Sequence, residues 1–211
     1  MRFAAARNSL YQSTRREIMP NRNTTAKLVL AACALVLSSL ASAQDAIHAV
    51  SGAVSHLDKE AKTITIKTAD GAEQVFHYTE HTSIRDSSAA ATHVKMGAVD
   101  TYFAGKEGSK VVVRYLGKGA DKTTTLVEDF GKDSLKAGRG TVTHVDKATH
   151  TVAIRTEDGA VSTYQMSDRA VVETDHGVVR GSRYLIKEGD RVTVHYTEDA
   201  SGKIIRFFKK L

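Results

Sequence analysis

Val54, Ile64 and Ile66 alternate with polar neighbours, and Val142, Val152 and Ile154 repeat the pattern further along the chain. A period of two over short runs predicts strands with one buried face. Asp58-Lys59 and Asp146-Lys147 mark a turn after the first run of each set. Asp70-Gly71 and Asp158-Gly159 then predict tight hairpins with positive φ at both central residues. On the third strands Phe76/Tyr78 and Tyr164/Met166 are expected to face inward. Gly108 and Gly189 open the fourth strands, where Val111, Val113 and Tyr115 correspond to Val192, Val194 and Tyr196. Fifth strands follow near Thr124–Phe130 and Ile204–Phe208, with Phe207 or Phe208 closing the second core and the last lysines solvated. Between the third and fourth strands the chain reads as irregular, with a short helix near Gly97–Phe103 that has no strong counterpart in the second set.

The two sets align as sequence. Gly52–His77 lies over Gly140–Gln165 at an offset of 88, with 11 of 26 positions identical. Lys106–Tyr115 lies over Lys187–Tyr196 at an offset of 81, with 6 of 10 identical. The change of offset puts a seven-residue excess between Arg85 and Lys106. The reading is an internal duplication, with units at 48–133 and 137–211 joined by the polar linker Gly131–Gly138. Five short antiparallel strands in about 80 residues leave exposed edges unless the sheet curls shut. The expected fold is therefore all-β: two tandem five-stranded small barrels, OB-like or SH3-like.

The front of the chain is different. Arg22 and Lys27 precede the apolar run Leu28–Leu40, which ends at Ala41-Ser42-Ala43. Those are the parts of a secretory signal peptide, so residues 1–43 are assigned to an N-terminal extension plus leader, with cleavage after Ala43 and a true start at Met19. Leu30-Ala31-Ala32-Cys33 resembles a lipobox, which makes a form lipid-anchored at Cys33 the alternative. A periplasmic product follows, with no transmembrane span in the mature chain, since the apolar run falls short of the roughly 20 residues a bilayer needs.

Charge changes the picture once it is located. The chain carries 30 Lys and Arg against 24 Asp and Glu. Residues 44–211 carry 24 against 23, so removing the leader removes the basic balance. A nucleic-acid partner is thereby excluded. Cys33 is the only cysteine; without it the mature chain has no disulfide, thiolate nucleophile or Cys-ligated metal.

The run Gly-x-Val-x-x-(Leu/Val)-Asp, Thr-(Ile/Val)-x-Ile, Asp-Gly and Glu-Gly-(Ser/Asp)-(Lys/Arg)-Val-x-Val resembles a domain of unknown function common in secreted bacterial proteins, where it often occurs in tandem. The resemblance implies a fold and a compartment, not a reaction. A weaker similarity runs to the small OB-barrel chaperones of periplasmic copper and silver efflux, which bind soft metal through Trp, two close Met and a His. This chain has no Trp, and Met96 and Met166 stand one per unit.

Histidine supplies the remaining candidate chemistry. His77-x-x-Glu80-His81 has metal-ligand spacing for a helix but straddles a strand end. His56 and His144 recur at one position in both units, just before the Asp58 and Asp146 turns. They read either as imidazoles bonded to the turn or its Asp, or as a metal ligand repeated once per barrel. His93, His150, His176 and His195 show no partner pattern. Asp70, Asp158, Glu107 and Glu188 sit beside glycines and read as turn residues. No serine elbow, phosphate loop, zinc helix or calcium loop is present. The chain reads as a non-enzymatic binding or structural module without a cofactor, whose partner is an unidentified envelope protein or polymer. A His-based metal-buffering protein is the alternative.

Overall fold

Eleven residues, His48–Asp58, form the first strand, β1, and its two halves have different neighbours. The structure, a computed structural model, describes residues 46–88, 93–184 and 186–211. The leader, the cleavage site after Ala43, Cys33 and the start at Met19 lie outside them. Along β1 the first sheet adds β2 (Thr63–Thr68), β3 (Glu73–His77), β4 (Ser83–Asp86), β5 (His93–Met96), a single helical turn α1 (Val99–Tyr102), β6 (Lys110–Leu116) and β7 (Thr123–Asp129). The second sheet holds β8 (Lys136–Asp146), β9 (Thr151–Thr156), β10 (Val161–Thr174), β11 (Gly177–Arg180), a 3₁₀ turn (Gly181–Arg183), β12 (Arg191–Asp199) and β13 (Gly202–Lys210).

Both sheets close. The first runs β3-β2-β1-β6-β7-β4-β5, and β3 meets β7 at His77 and Thr123. The second runs β11-β10-β13-β12-β8-β9, and β9 pairs with β10 to complete the circuit. In each, the third strand lies parallel to the fifth: β4 along β7, and β10 along β13. The circuit 1-2-3-5-4-1 with that one parallel pair is the OB-type barrel, so the all-β expectation holds in its OB-like form.

The alternating positions supply the cores. Val54, Ile64, Ile66, Phe76, Ile84, Val111, Val113 and Val127 fill the first barrel. Val142, Val152, Ile154, Tyr164, Val192, Val194, Ile205 and Phe208 fill the second. Each such side chain contributes about 1.5–3 kcal/mol on leaving water. Both first strands carry a bulge, since Val54 faces Ile66 but His56 faces Thr65, and Val142 faces Ile154 but His144 faces Ala153. The extra residue is tied down by its own hydroxyl: Ser55 donates to the Thr65 carbonyl and Thr143 to that of Ala153. The bulge sharpens the curl that lets so few strands close.

Two expectations are corrected, the hairpin geometry and the linker, and two others gain detail. The Asp-Gly hairpins have positive φ at Gly71 and Gly159 alone. Gly71 N–H bonds to Thr68 O and Thr68 N–H to Ala72 O, so the loop is a three-residue connection ending in a left-handed glycine. The five-strand barrel circuit stands, with the third strand of the first barrel split into β3 and β4, and with β5 and β11 adding outer hairpins. The residues of β5 expose Val94 and Met96, so no inward alternation announces the strand. At the place of α1 the second barrel has only the 3₁₀ turn Gly181–Arg183, in keeping with the expectation of no strong counterpart. Finally, the stretch read as a polar linker buries Leu135 and enters β8 at Lys136.

Within residues 45–211, which form one unit, a third apolar cluster lies between the sheets. It joins Ala49, Val112 and Phe130 to Leu135, Val171 and Phe207, with Val178 packed against it. Phe207 and Phe208 therefore point opposite ways, one into this seam and one into the second barrel, as strand geometry requires. Polar contacts reinforce the seam. Glu173 accepts from the Ala49 N–H at 2.7 Å and pairs with His48 Nδ1 at 2.7 Å. Val178 N–H bonds to Ile47 O. The outer half of β1 thus belongs to both barrels.

Candidate ligand groove at the seam of the two barrels

His195 lies on β12 between Val194 and Tyr196, on the face that strand alternation sends away from its own barrel. The neighbouring barrel covers it, leaving it 7% exposed. Its Nδ1 lies 2.9 Å from Ser51 Oγ on β1, and the Phe207 ring meets it edge-on at 5.5 Å. Ser51 donates its single hydroxyl proton to the Val111 carbonyl at 3.2 Å. With the proton placed there, the serine oxygen accepts from Nδ1–H, and in that tautomer Nε2 is the open acceptor. Nε2 has no hydrogen-bond partner among the described residues. Burial, helped by the charge of Lys110, pushes the imidazole pKa down to about 4, so the ring is neutral at physiological pH.

The ring lines two adjoining recesses of about 360 and 150 Å³. Gly52, Lys67, Lys110 and Ala137 border the first, and Ser51, Asp70, Arg139 and Lys209 border the second. Both sheets contribute to each recess. Gly52 is required here by close approach: a Cβ on it would sit 2.4 Å from the Lys67 carbonyl oxygen.

A serine beside a histidine invites a catalytic reading, and the geometry opposes it. The Ser51 proton points to Val111, not to the imidazole, and the hydroxyl is buried. An imidazole with a pKa near 4 is a weak base at neutral pH, where a general base works best with a pKa near the operating value. No carboxylate orients the ring from its other nitrogen, as a catalytic triad requires.

The residues singled out in the sequence lie elsewhere. His56 and His144 are exposed on the outer faces of β1 and β8, one residue past each bulge. Neither bonds to its turn. Asp58 and Asp146 shape those turns alone, accepting from the N–H groups of Glu60 and Ala61 and of Ala148 and Thr149. His144 Nδ1 pairs instead with Glu188 at 3.1 Å, so that carboxylate is more than a turn residue. His77 is exposed at the end of β3, and His81 stands 3.6 Å from Glu80. Among the described residues no group of three His, Cys, Asp or Glu side chains is placed to hold a metal ion. The terminal lysines also divide, with Lys209 exposed at the seam and Lys210 bound to Asp190 at 2.6 Å.

The barrel ends differ from each other. In the first, α1 inserts Val99, and Phe103 just after it, into the core. Tyr102 OH donates to Asp129 at 3.0 Å, Lys106 reaches the same oxygen at 3.1 Å, and its ammonium lies 3.5 Å above the Tyr102 ring. Burial first, then hydrogen bonding to acidic neighbours, raises the Tyr102 pKa and holds the phenol protonated. In the second, the 3₁₀ turn brings no such plug, and a recess of about 180 Å³ remains among Val145, Val152, Met166, Tyr184 and Ile186.

Comparison with known proteins adds little to this geometry. No family model matches the chain, and no curated protein matches it. Among solved structures, a copper(II) form of CusF from Escherichia coli aligns with 37% of this chain and 92% of its own, at 13% identity and a TM-score of 0.29. Apo-CusF from Escherichia coli aligns with 36% of this chain and 87% of its own, at 12% identity and the same TM-score. CusF-Ag(I) from the same organism gives 12% identity over 36% of this chain, again at 0.29. These are weak likenesses to small barrels, and the OB-type assignment stands on the strand pairing itself. Among the described residues, no helix is long and apolar enough to cross a membrane.

Proposed function

We propose that this protein is a non-enzymatic ligand-binding module of the bacterial periplasm, with its ligand seat in the groove between the barrels. The observation that carries the reading is the buried His195 ring, held by Ser51 and Phe207, with an Nε2 that has no partner among the described residues and a recess beside it to which both barrels contribute. The leader sequence supports the compartment. The seam supports rigidity: apolar packing and the Glu173 contacts fix the two walls of the groove relative to each other.

Hydrogen–deuterium exchange on the purified protein, alone and with fractionated envelope extract, tests the reading. Protection confined to Lys67–Gly71, Lys110 and Ala137–Arg139 is the expected result. Protection at the second barrel's open end, Asp146–Thr151, or none in any fraction, overturns it.

A further inference from the structure

We propose that the groove takes a polyhydroxylated anion, an acidic saccharide, whose hydroxyl donates to His195 Nε2 and whose carboxylate is held by Lys110 and Lys67. This rests on the ligand-binding reading above and names the ligand's chemistry. Two features of the groove select that chemistry.

The first is the hydrogen-bonding sense of the buried ring. With Ser51 donating to Val111 and accepting from Nδ1–H, Nε2 is the acceptor of the ring, and the complementary ligand group is an O–H or N–H donor. A bare carboxylate or a phosphate dianion has none to offer. The second is charge. Lys67, Lys110, Arg139 and Lys209 border the two recesses, and Asp70 is the one carboxylate side chain among the bordering residues. Asp70 is already committed to Thr68 Oγ1 and the Ala72 N–H. The surplus positive charge disfavours a metal cation or a protonated amine at Nε2, which leaves hydroxyl as the donor. A hydroxyl and a carboxylate on one rigid ring meet both demands. Gly52, Ala53, Leu135 and Ala137 give the first recess an apolar lining, which suits the carbon face of a sugar.

Titration calorimetry with three probes separates the contributions. Trigalacturonate carries hydroxyls and carboxylates, maltotriose only hydroxyls, and tricarballylate only carboxylates. Trigalacturonate is expected to bind at least about tenfold more tightly than either of the others, the scale of one good hydrogen bond or ion pair. Lys110→Met should remove the preference over maltotriose, and His195→Phe the preference over tricarballylate. In the unmodified protein, saturation with trigalacturonate should shift the His195 Nε2 nitrogen resonance, a readout that survives if His195→Phe does not fold. Equal binding of tricarballylate, or an unmoved Nε2 resonance at saturation, overturns the proposal. Protection of the groove by envelope extract without trigalacturonate binding would sink the saccharide and leave the binding reading standing; loss of both sinks both.

Discussion

Ser51 and His195 stand 144 positions apart in the chain and 2.9 Å apart in space, each buried by the barrel to which it does not belong. The contact makes acid stability a report on the seam. In the folded protein the imidazole pKa is about 4, against 6.5 for a free side chain. Between those values the unfolded chain binds a proton that the folded chain refuses, so stability rises with pH across that window. Lowering the pH from 7 to 4 should cost about 3 kcal/mol from this group alone. Urea unfolding at pH 7, 5.5 and 4.5 measures it, and a His195→Phe variant should show a flatter profile. Equal slopes in the two proteins would show that His195 does not govern the loss.

Glu173 makes further polar ties across the seam. Removing its carboxylate in Glu173→Ala strands the Ala49 N–H and the His48 ring, each losing a 2.7 Å contact. The expected cost is about 1–3 kcal/mol, the scale for an orphaned buried donor. Tyrosine fluorescence and far-ultraviolet dichroism should unfold together in the parent and separate in the variant.

Glycine at position 140 is demanded by the carbonyl of Arg155, which would lie 2.1 Å from a Cβ built there. Gly140→Ala must push β8 and β9 apart at the start of the second barrel. A loss of at least about 2 kcal/mol is expected, within the range for overpacking. Thermal unfolding measures it, and Gly159→Ala provides the contrast. That glycine has open space around it and a φ of 88°, so its cost is conformational rather than steric.

Asp129 anchors α1, and at 1% exposure it takes bonds from Tyr102, Lys106 and the Gly131 N–H. Asp129→Ala removes one partner of a buried charged cluster, for which a loss of about 3–5 kcal/mol is usual. Tyr102→Phe deletes one hydrogen bond and should cost about 1 kcal/mol. Binding of a hydrophobic dye reports whether the plug has left the barrel: the aspartate variant should gain fluorescence and the phenylalanine variant should not.

Much of this architecture is legible in the chain, and the part that is not has a definite physical cause. Val54, Ile64 and Ile66 announce themselves because each strand buries one face and wets the other. The seam breaks that rule. Val112 stands between Val111 and Val113, Phe207 beside Phe208, and Val171 beside Val172, each pair facing two different apolar clusters. Runs without alternation mark strands covered on both sides, and they were the available signal for a second barrel lying against the first. His195 gave no signal, since a histidine on an outward position reads as solvated until its cover is known. Local turn chemistry failed differently. Lys62 and His150 adopt the left-handed conformation with φ of 52°, where glycine or asparagine would have been the readable choice. The repeated His56 and His144 stand exposed just past the bulge in each barrel, His144 beside Glu188.

The division of β1 between two barrels sets an order of events during synthesis. Residues His48–Ser51 emerge early, pair with β6 once Lys110–Leu116 is available, and then have no cover for Ala49, Val112 and Phe130 until Val171 and Phe207 arrive. Phe207 leaves the ribosome well after Phe130. A polypeptide halted anywhere before it carries a finished first barrel with an uncovered greasy flank, the kind of surface that chaperones hold and proteases sample. Incomplete chains are thereby marked for capture by the very half-strand that rigidifies complete ones.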